Sequence, residues 1–403
     1  MGIDLILFTL ISSTIFFIAV KNIISGKISF IDLFVVGSTF YLNIGIVYVQ
    51  VAGLLYIPEK LIWSLFLSQS ILFLWMKIFN NKSKNSLKTI TCFSNHSFKR
   101  HLIFLNICVI FLMLYYFYIN GIPIFKNDVE SARVAAFNNS KNLYYVFLVI
   151  APIQFIYNYF FSKKNIYILF FLIMIFLGFL TGFRALIFNY ILVFLLCIFW
   201  GKQGLKKRYI VFTVFLSATI GILLTYLRLP ESHRSFSFAV DVLIQRLFVV
   251  NVFNLVNIFR YFEGIEFLYG KTIIWDVPYI RRSFVYLNII EHSDTFAIWM
   301  TSKLNPFFSR DFIMTPTLFG IAYANFGIIG PSVWVIILLI FEKIIKKIQK
   351  YHFFFPFYVF SISLAIPIFT RGFFSVLSLM FIPGLLFSIF FIRGIYKIYN
   401  SRI

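Results

Sequence analysis

Seven consecutive residues, Arg228-Leu229-Pro230-Glu231-Ser232-His233-Arg234, gather two guanidiniums, a carboxylate and an imidazole. Imidazole and carboxylate are the usual general bases, and a guanidinium grips phosphate oxygens through a planar fork. His233 and Glu231 are therefore the candidate catalytic proton acceptors, and Arg228 and Arg234 the candidate anion ligands. A solvated helix end is the bland reading of the same residues. Arg246, Arg260, Arg281, Arg282 and Arg310 follow, and over 228–316 arginine outnumbers lysine seven to two. Singly, each reads as a surface charge. Together they suit a chamber for a phosphate-like anion, because forked donors bind such oxygens with direction. Arg184 and Arg371 sit in minimal turns, Thr181-Gly182-Phe183-Arg184 and Thr370-Arg371-Gly372, with little room to reach water. Interfacial anchoring is the competing role for both.

The elements that must hold these residues are apolar. The 403-residue chain is 61% hydrophobic and 12% charged, with a mean hydropathy of +0.91. Soluble domains are about 45–50% apolar and about 25% charged, so lipid is the solvent expected here. Eleven stretches reach spanning length: 4–20, 30–56, 61–79, 102–119, 143–161, 166–181, 184–200, 209–227, 317–341, 353–369 and 373–392. The expected fold is all-α, one polytopic membrane domain over 1–403, with 228–316 a long extracytoplasmic loop. Lysine and arginine mark cytoplasmic loops. Starting from an outside N-terminus, the inside loops then carry 21 Lys and Arg against 2 Asp and Glu, and the outside ones 15 against 12. The C-terminus falls inside. The net charge of +22 is thus mainly a topological signal facing anionic lipid, not a nucleic-acid surface. Ala239–Phe259 is apolar but holds Asp241, Gln245, Arg246, Asn251, Asn254 and Asn257, which are costly in hydrocarbon. It reads as an interfacial or re-entrant helix.

Phosphate-binding glycine loops and zinc-type Cys/His spacings are missing from the sequence. No metal and no cofactor are expected, and any chemistry must use a preactivated substrate reached from the membrane or the outer face. Thr315-Pro316-Thr317-Leu318-Phe319-Gly320 opens a glycine-punctuated span, with Gly327 and Gly330 following, and reads first as a capped, tightly packed helix. Its positive N-terminal end could also face an anion.

The segments TGFRALIF (181–188) and TPTLFGIAYANFGIIGP (315–331), with the Arg228 region, resemble the bacterial oligosaccharide repeat-unit polymerases, also called O-antigen polymerases. The architecture fits along the whole chain, the motifs over some 30 residues. The resemblance implies a C-type glycosyltransferase in the bacterial plasma (inner) membrane, building lipopolysaccharide O-antigen or capsule. It implies transfer of a growing glycan from one polyprenyl-pyrophosphate carrier to the sugar on another. The partners it implies are those lipid-linked oligosaccharides, membrane lipid and a chain-length regulator protein. The family's functional arginines fall on Arg184 and Arg228, then on Arg246, Arg281 and Arg371. Phe183 departs from the family pattern, where a small residue is common. O-antigen ligase and a transporter or flippase of lipid-linked oligosaccharide are the competing functions.

Overall fold

The computed structural model describes residues 2–79, 96–162, 164–202, 207–229, 232, 234–287, 295–304, 316–349, 351 and 354–400. Among them every regular element is helical, as lipid demands of a chain that must satisfy its own backbone. The first helices are α1 (Ile3–Ile24), α2 (Phe30–Ser38), α3 (Ile44–Val51) and α4 (Glu59–Phe79). Next come α5 (His96–Asn120), α6 (Val129–Asn139), α7 (Lys141–Tyr145), α8 (Ala151–Phe161), α9 (Lys164–Leu180), α10 (Arg184–Lys202) and α11 (Lys207–Arg228). The long loop of the sequence reading holds α12 (Phe236–Phe248), α13 (Val250–Glu263), α14 (Lys271–Asp276), α15 (Pro278–Tyr286) and α16 (Phe296–Leu304). Last are α17 (Thr317–Phe326), α18 (Gly330–Ile348), α19 (Phe355–Ser363), α20 (Ala365–Arg371), α21 (Phe373–Val376) and α22 (Ile382–Asn400).

Among the described residues, eight helical stretches are long and apolar enough to cross a membrane, and four shorter apolar helices accompany them. The chain is a multi-pass membrane protein. The eleven apolar stretches of the sequence reading all coincide with these helices. The twelfth, Phe236–Glu263, is the difference. It is two helices, parted at Val249, and together they reach spanning length. α12 keeps Asp241, Gln245 and Arg246 exposed. α13 buries Asn251 in the same row as Val252, Leu255 and Phe259, packed against α17. Asn251 meets protein, which removes its own cost in hydrocarbon.

The chain divides into two compact units, Met1–Asn85, Ile244–Ile344 and Leu364–Leu379 in the first, and Ser86–Leu243, Ile345–Ser363 and Met380–Ile403 in the second. In the first unit α1 packs on α2 and α4, α2 on α20, and α17 on α13 and α20. Glycines permit the closest approaches. A Cβ at Gly45 would lie 1.9 Å from Phe248 O, and one at Gly330 would lie 2.0 Å from Ala322 O.

In the second unit α8 is central, touching α5, α9, α10 and α19. Three buried amides knit it to α5. Asn106 Oδ1 accepts from Gln154 Nε2 at 2.8 Å and from Asn158 Nδ2 at 2.6 Å. Val146–Ile150, ahead of α8, is a π-helical turn. Pro152 has no N–H to offer this turn, and Phe147 O instead accepts the Tyr190 hydroxyl at 2.8 Å.

Candidate functional site

Three segments of the second unit meet at the start of α6. The first is α6. Asp128 caps it, accepting from Ser131 N at 3.1 Å and Ser131 Oγ at 2.6 Å, as an N-cap should. That fixes Glu130 in the first turn, where the helix dipole favours an anion. Arg133, one turn on, forks onto Glu130, with Nε 2.8 Å from Oε2 and Nη2 on Oε1. The second segment is the end of α11. Arg228 is its last residue, and both Nε (2.6 Å) and Nη2 donate to Glu130 Oε2.

The third is the turn Thr181–Arg184. Thr181 Oγ1 donates to Gly178 O at 2.6 Å and accepts from Phe183 N at 3.2 Å, while Gly182 takes φ +73°. A Cβ on Gly182 would meet Val129 Cγ1 at 3.3 Å, so the turn lies against α6. Arg184 then opens α10, and its Nη1 donates to Thr225 Oγ1 on α11, one turn before Arg228. Phe183 has a use here. Its ring is the platform for the Arg133 guanidinium, 4.9 Å from the ring centre, a cation–π contact.

Arg133 and Arg228 share one carboxylate, Glu130, while Arg184 is held on Thr225. Burial works to raise the Glu130 pKa. The hydrogen bond from Arg133 and the charges of Arg228 and Arg133 outweigh it and bring the carboxyl down to about 2. The Arg228 side chain is 9% exposed and that of Glu130 30%, so the guanidinium is sunk and the carboxylate borders solvent. Guanidiniums beside a helix N-terminus are the kind of group that binds anions.

Arg184 and Arg228, singled out in the sequence, both stand at α11, Arg184 through Thr225 and Arg228 as its last residue. Glu130 and Arg133 are not in that reading. Their signal is local, a capping Asp128 followed by a Glu–Arg pair three apart. Arg234 turns back on its own chain, with Nε and Nη2 3.3 and 3.2 Å from Leu229 O. Glu231 and His233, like Arg310, lie outside the described residues.

The remaining candidates belong to the first unit. Arg246 is exposed on α12, and Arg260 Nη2 donates to Tyr56 O at 3.1 Å. Arg281 stands by one buried carboxylate, Asp276, the last residue of α14. Arg281 Nη1 donates to Trp275 O at 3.2 Å, and its charge acts on Asp276. Arg371 precedes Gly372, whose φ is +91° and whose Cβ, if present, would sit 3.6 Å from Asp276 Oδ2.

Asn325 of the 315–331 motif positions α14. Its Oδ1 accepts from Gly270 N at 2.9 Å, and its Nδ2 donates to Thr272 Oγ1 at 2.6 Å and Ile321 O at 2.7 Å. Thr315 lies outside the described residues. Thr317 holds φ +53°, rare for a β-branched residue, and its Oγ1 accepts from Gly320 N at 3.2 Å.

Neither family models, nor characterised proteins, nor solved structures give a significant match to this chain.

Proposed function

We propose that the chain is a membrane glycosyltransferase that polymerises polyprenyl-pyrophosphate-linked oligosaccharide repeats at the outer face of a bacterial plasma membrane. One observation supports this reading: Arg133 and Arg228 both fork onto Glu130, and Arg184, at the start of α10, is tied to α11 through Thr225, so three guanidiniums gather at these helix ends. The pyrophosphate of a lipid-linked glycan bears two acidic phosphates, and its position at the membrane surface suits the ends of apolar helices. In the reaction an acceptor hydroxyl attacks the anomeric carbon, and the bond to pyrophosphate breaks. The electron pair leaves with the lipid pyrophosphate. Fixed guanidiniums lower the cost of that developing charge, and removing one such donor typically costs about 10²–10³-fold in rate.

The test is polymerisation of purified lipid-linked repeats by Arg228→Lys and Arg184→Lys proteins that fold and insert normally. Lysine keeps the charge and loses the fork, so both variants should fall at least about tenfold. Full activity of both would end the phosphate-binding role.

A further inference from the structure

Between α1 and the turn Thr39–Asn43 the first unit holds a cavity of about 310 Å³, at the small end of the usual range for ligand sites, about 300–1,000 Å³. Thr39–Asn43 is a π-helical turn joining α2 to α3, with Ile44 N–H bonded to Thr39 O five residues back. Single turns of this kind recur at functional sites. α1 packs against the turn, and Phe16 meets Phe40 edge to face with ring centres 5.9 Å apart. Just beyond it, Gly45 lets Phe248 O come to 1.9 Å from where a Cβ would stand. The segment is thus gripped from α1 on one side and from the α12–α13 junction on the other.

Two polar atoms of the lining residues have no hydrogen-bond partner among the described residues, Ser12 Oγ and Asn43 Oδ1. Both residues are buried, at 4% and 3% exposure. The Asn43 amide nitrogen is turned to Thr39 Oγ1 at 3.5 Å, which leaves Oδ1 as an acceptor. The neighbouring Thr9 hydroxyl is spent on Leu5 O at 2.7 Å. Polar atoms in this state are costly away from water, and here two of them share one cavity. The wall beside them is apolar, formed by Phe8, Ile44 and Val47. The lining holds no Asp, Glu, Lys, Arg or His, so a charged ligand would be buried without a counter-charge. Ser13, Ile44 and Tyr48 are exposed, and they stand on stretches long enough to span. The cavity therefore opens sideways, toward lipid.

We propose that this cavity binds the hydroxyl end of a single-chain lipid alcohol. One hydroxyl answers both polar atoms: its hydrogen goes to Asn43 Oδ1 and its oxygen accepts from the Ser12 hydroxyl. The chain leaves past Phe8, Ile44 and Val47 through the open side. Water would satisfy the same two atoms but makes no use of the apolar wall or of the lateral opening. A diacylglycerol also carries a hydroxyl, but it brings two ester carbonyls against that apolar wall, where a carbonyl without a donor is costly.

The experiment uses the full chain in nanodiscs of phosphatidylethanolamine and phosphatidylglycerol. The protein is labelled with a diazirine-bearing hexadecanol and mapped by peptide mass spectrometry. Label should fall on α1 and on residues 39–48. Hexadecanol should compete for it about tenfold better than hexadecyl methyl ether, which has lost the donor. Ser12→Ala and Asn43→Leu should each weaken labelling of these segments by about tenfold. Equal competition by alcohol and ether, unchanged labelling in either variant, or label absent from both segments would overturn the proposal. Dioleoylglycerol competing as well as hexadecanol would overturn the single-chain assignment. Should a variant fail to fold, the preference of the wild type for alcohol over ether decides by itself.

Discussion

Substituting Asp276 by Asn should stabilise the protein above neutral pH, whatever reaction it performs. Burial raises this carboxyl from 3.8 to about 7. Between those values the folded protein holds a proton that the unfolded chain releases, so stability falls as pH rises through that window. Each pKa unit is worth about 1.36 kcal/mol. Three units correspond to an accumulated penalty of about 4 kcal/mol by pH 8. The asparagine variant keeps the acceptor for the Phe296 amide and carries no charge to bury. Below pH 4 the two proteins differ only by an amide against a protonated carboxyl, which makes that end an internal control. The assay is denaturant or thermal unfolding of detergent-purified protein from pH 4 to 8. The curves should meet at the acid end and separate above pH 5, with wild type the less stable. A separation that does not change between pH 5 and 8 would refute the reasoning.

Glu130 carries the opposite sign. Its folded pKa lies near 2, below the ordinary 4.5, so its stabilisation is complete above about pH 4.5 and is lost as pH falls toward 2. Discounted for its exposed edge, Glu130→Gln should cost about 1 kcal/mol at pH 7 in the same unfolding assay, and less in high salt. Asn325→Ala strands the Gly270 amide and the Thr272 hydroxyl and should cost about 2–4 kcal/mol by denaturant unfolding. Reporter fusions should place Ile345 in the cytoplasm and Val285 outside. Finding Ile345 outside would mean that Phe236–Glu263 crosses the membrane once.

The helices were legible because lipid leaves a long apolar segment few alternatives, and apolar length is written locally. The proximity of Arg184 and Arg228 was legible for another reason: both stand where apolar stretches end. The partner of Arg228 was not. Glu130 lies 98 residues from Arg228, in a connection whose composition says only that it leaves the membrane. Asp276 left still less trace. A single aspartate in Ile-Ile-Trp-Asp-Val-Pro reads as a loop charge, and only the clamp from Asn325 and the turn at Gly372 sink it. The Asn-Phe-Gly segment read first as helix packing. Its packing role holds at Gly330, while Asn325 adds a polar clamp. Phe236–Glu263 carries both signals: Asn251 is buried against protein, while Asp241, Gln245 and Arg246 stay exposed.

The π-helical turns at Thr39–Asn43, Val146–Ile150 and Leu377–Phe381 interrupt three of the stretches long enough to span, and two of them stand just ahead of a proline, Pro152 and Pro383. Each such turn admits one residue more than the surrounding α-helix. That residue rotates everything beyond it by about 100°, the angle of one helical step, so each stretch presents one stripe of side chains above the turn and a different one below. In evolutionary terms the extra residue is an insertion placed in the interior of a membrane helix. A descendant that loses it cannot compensate in a loop. It must exchange the whole contact stripe on one side of the turn, so these three positions tie the chain's length to its packing.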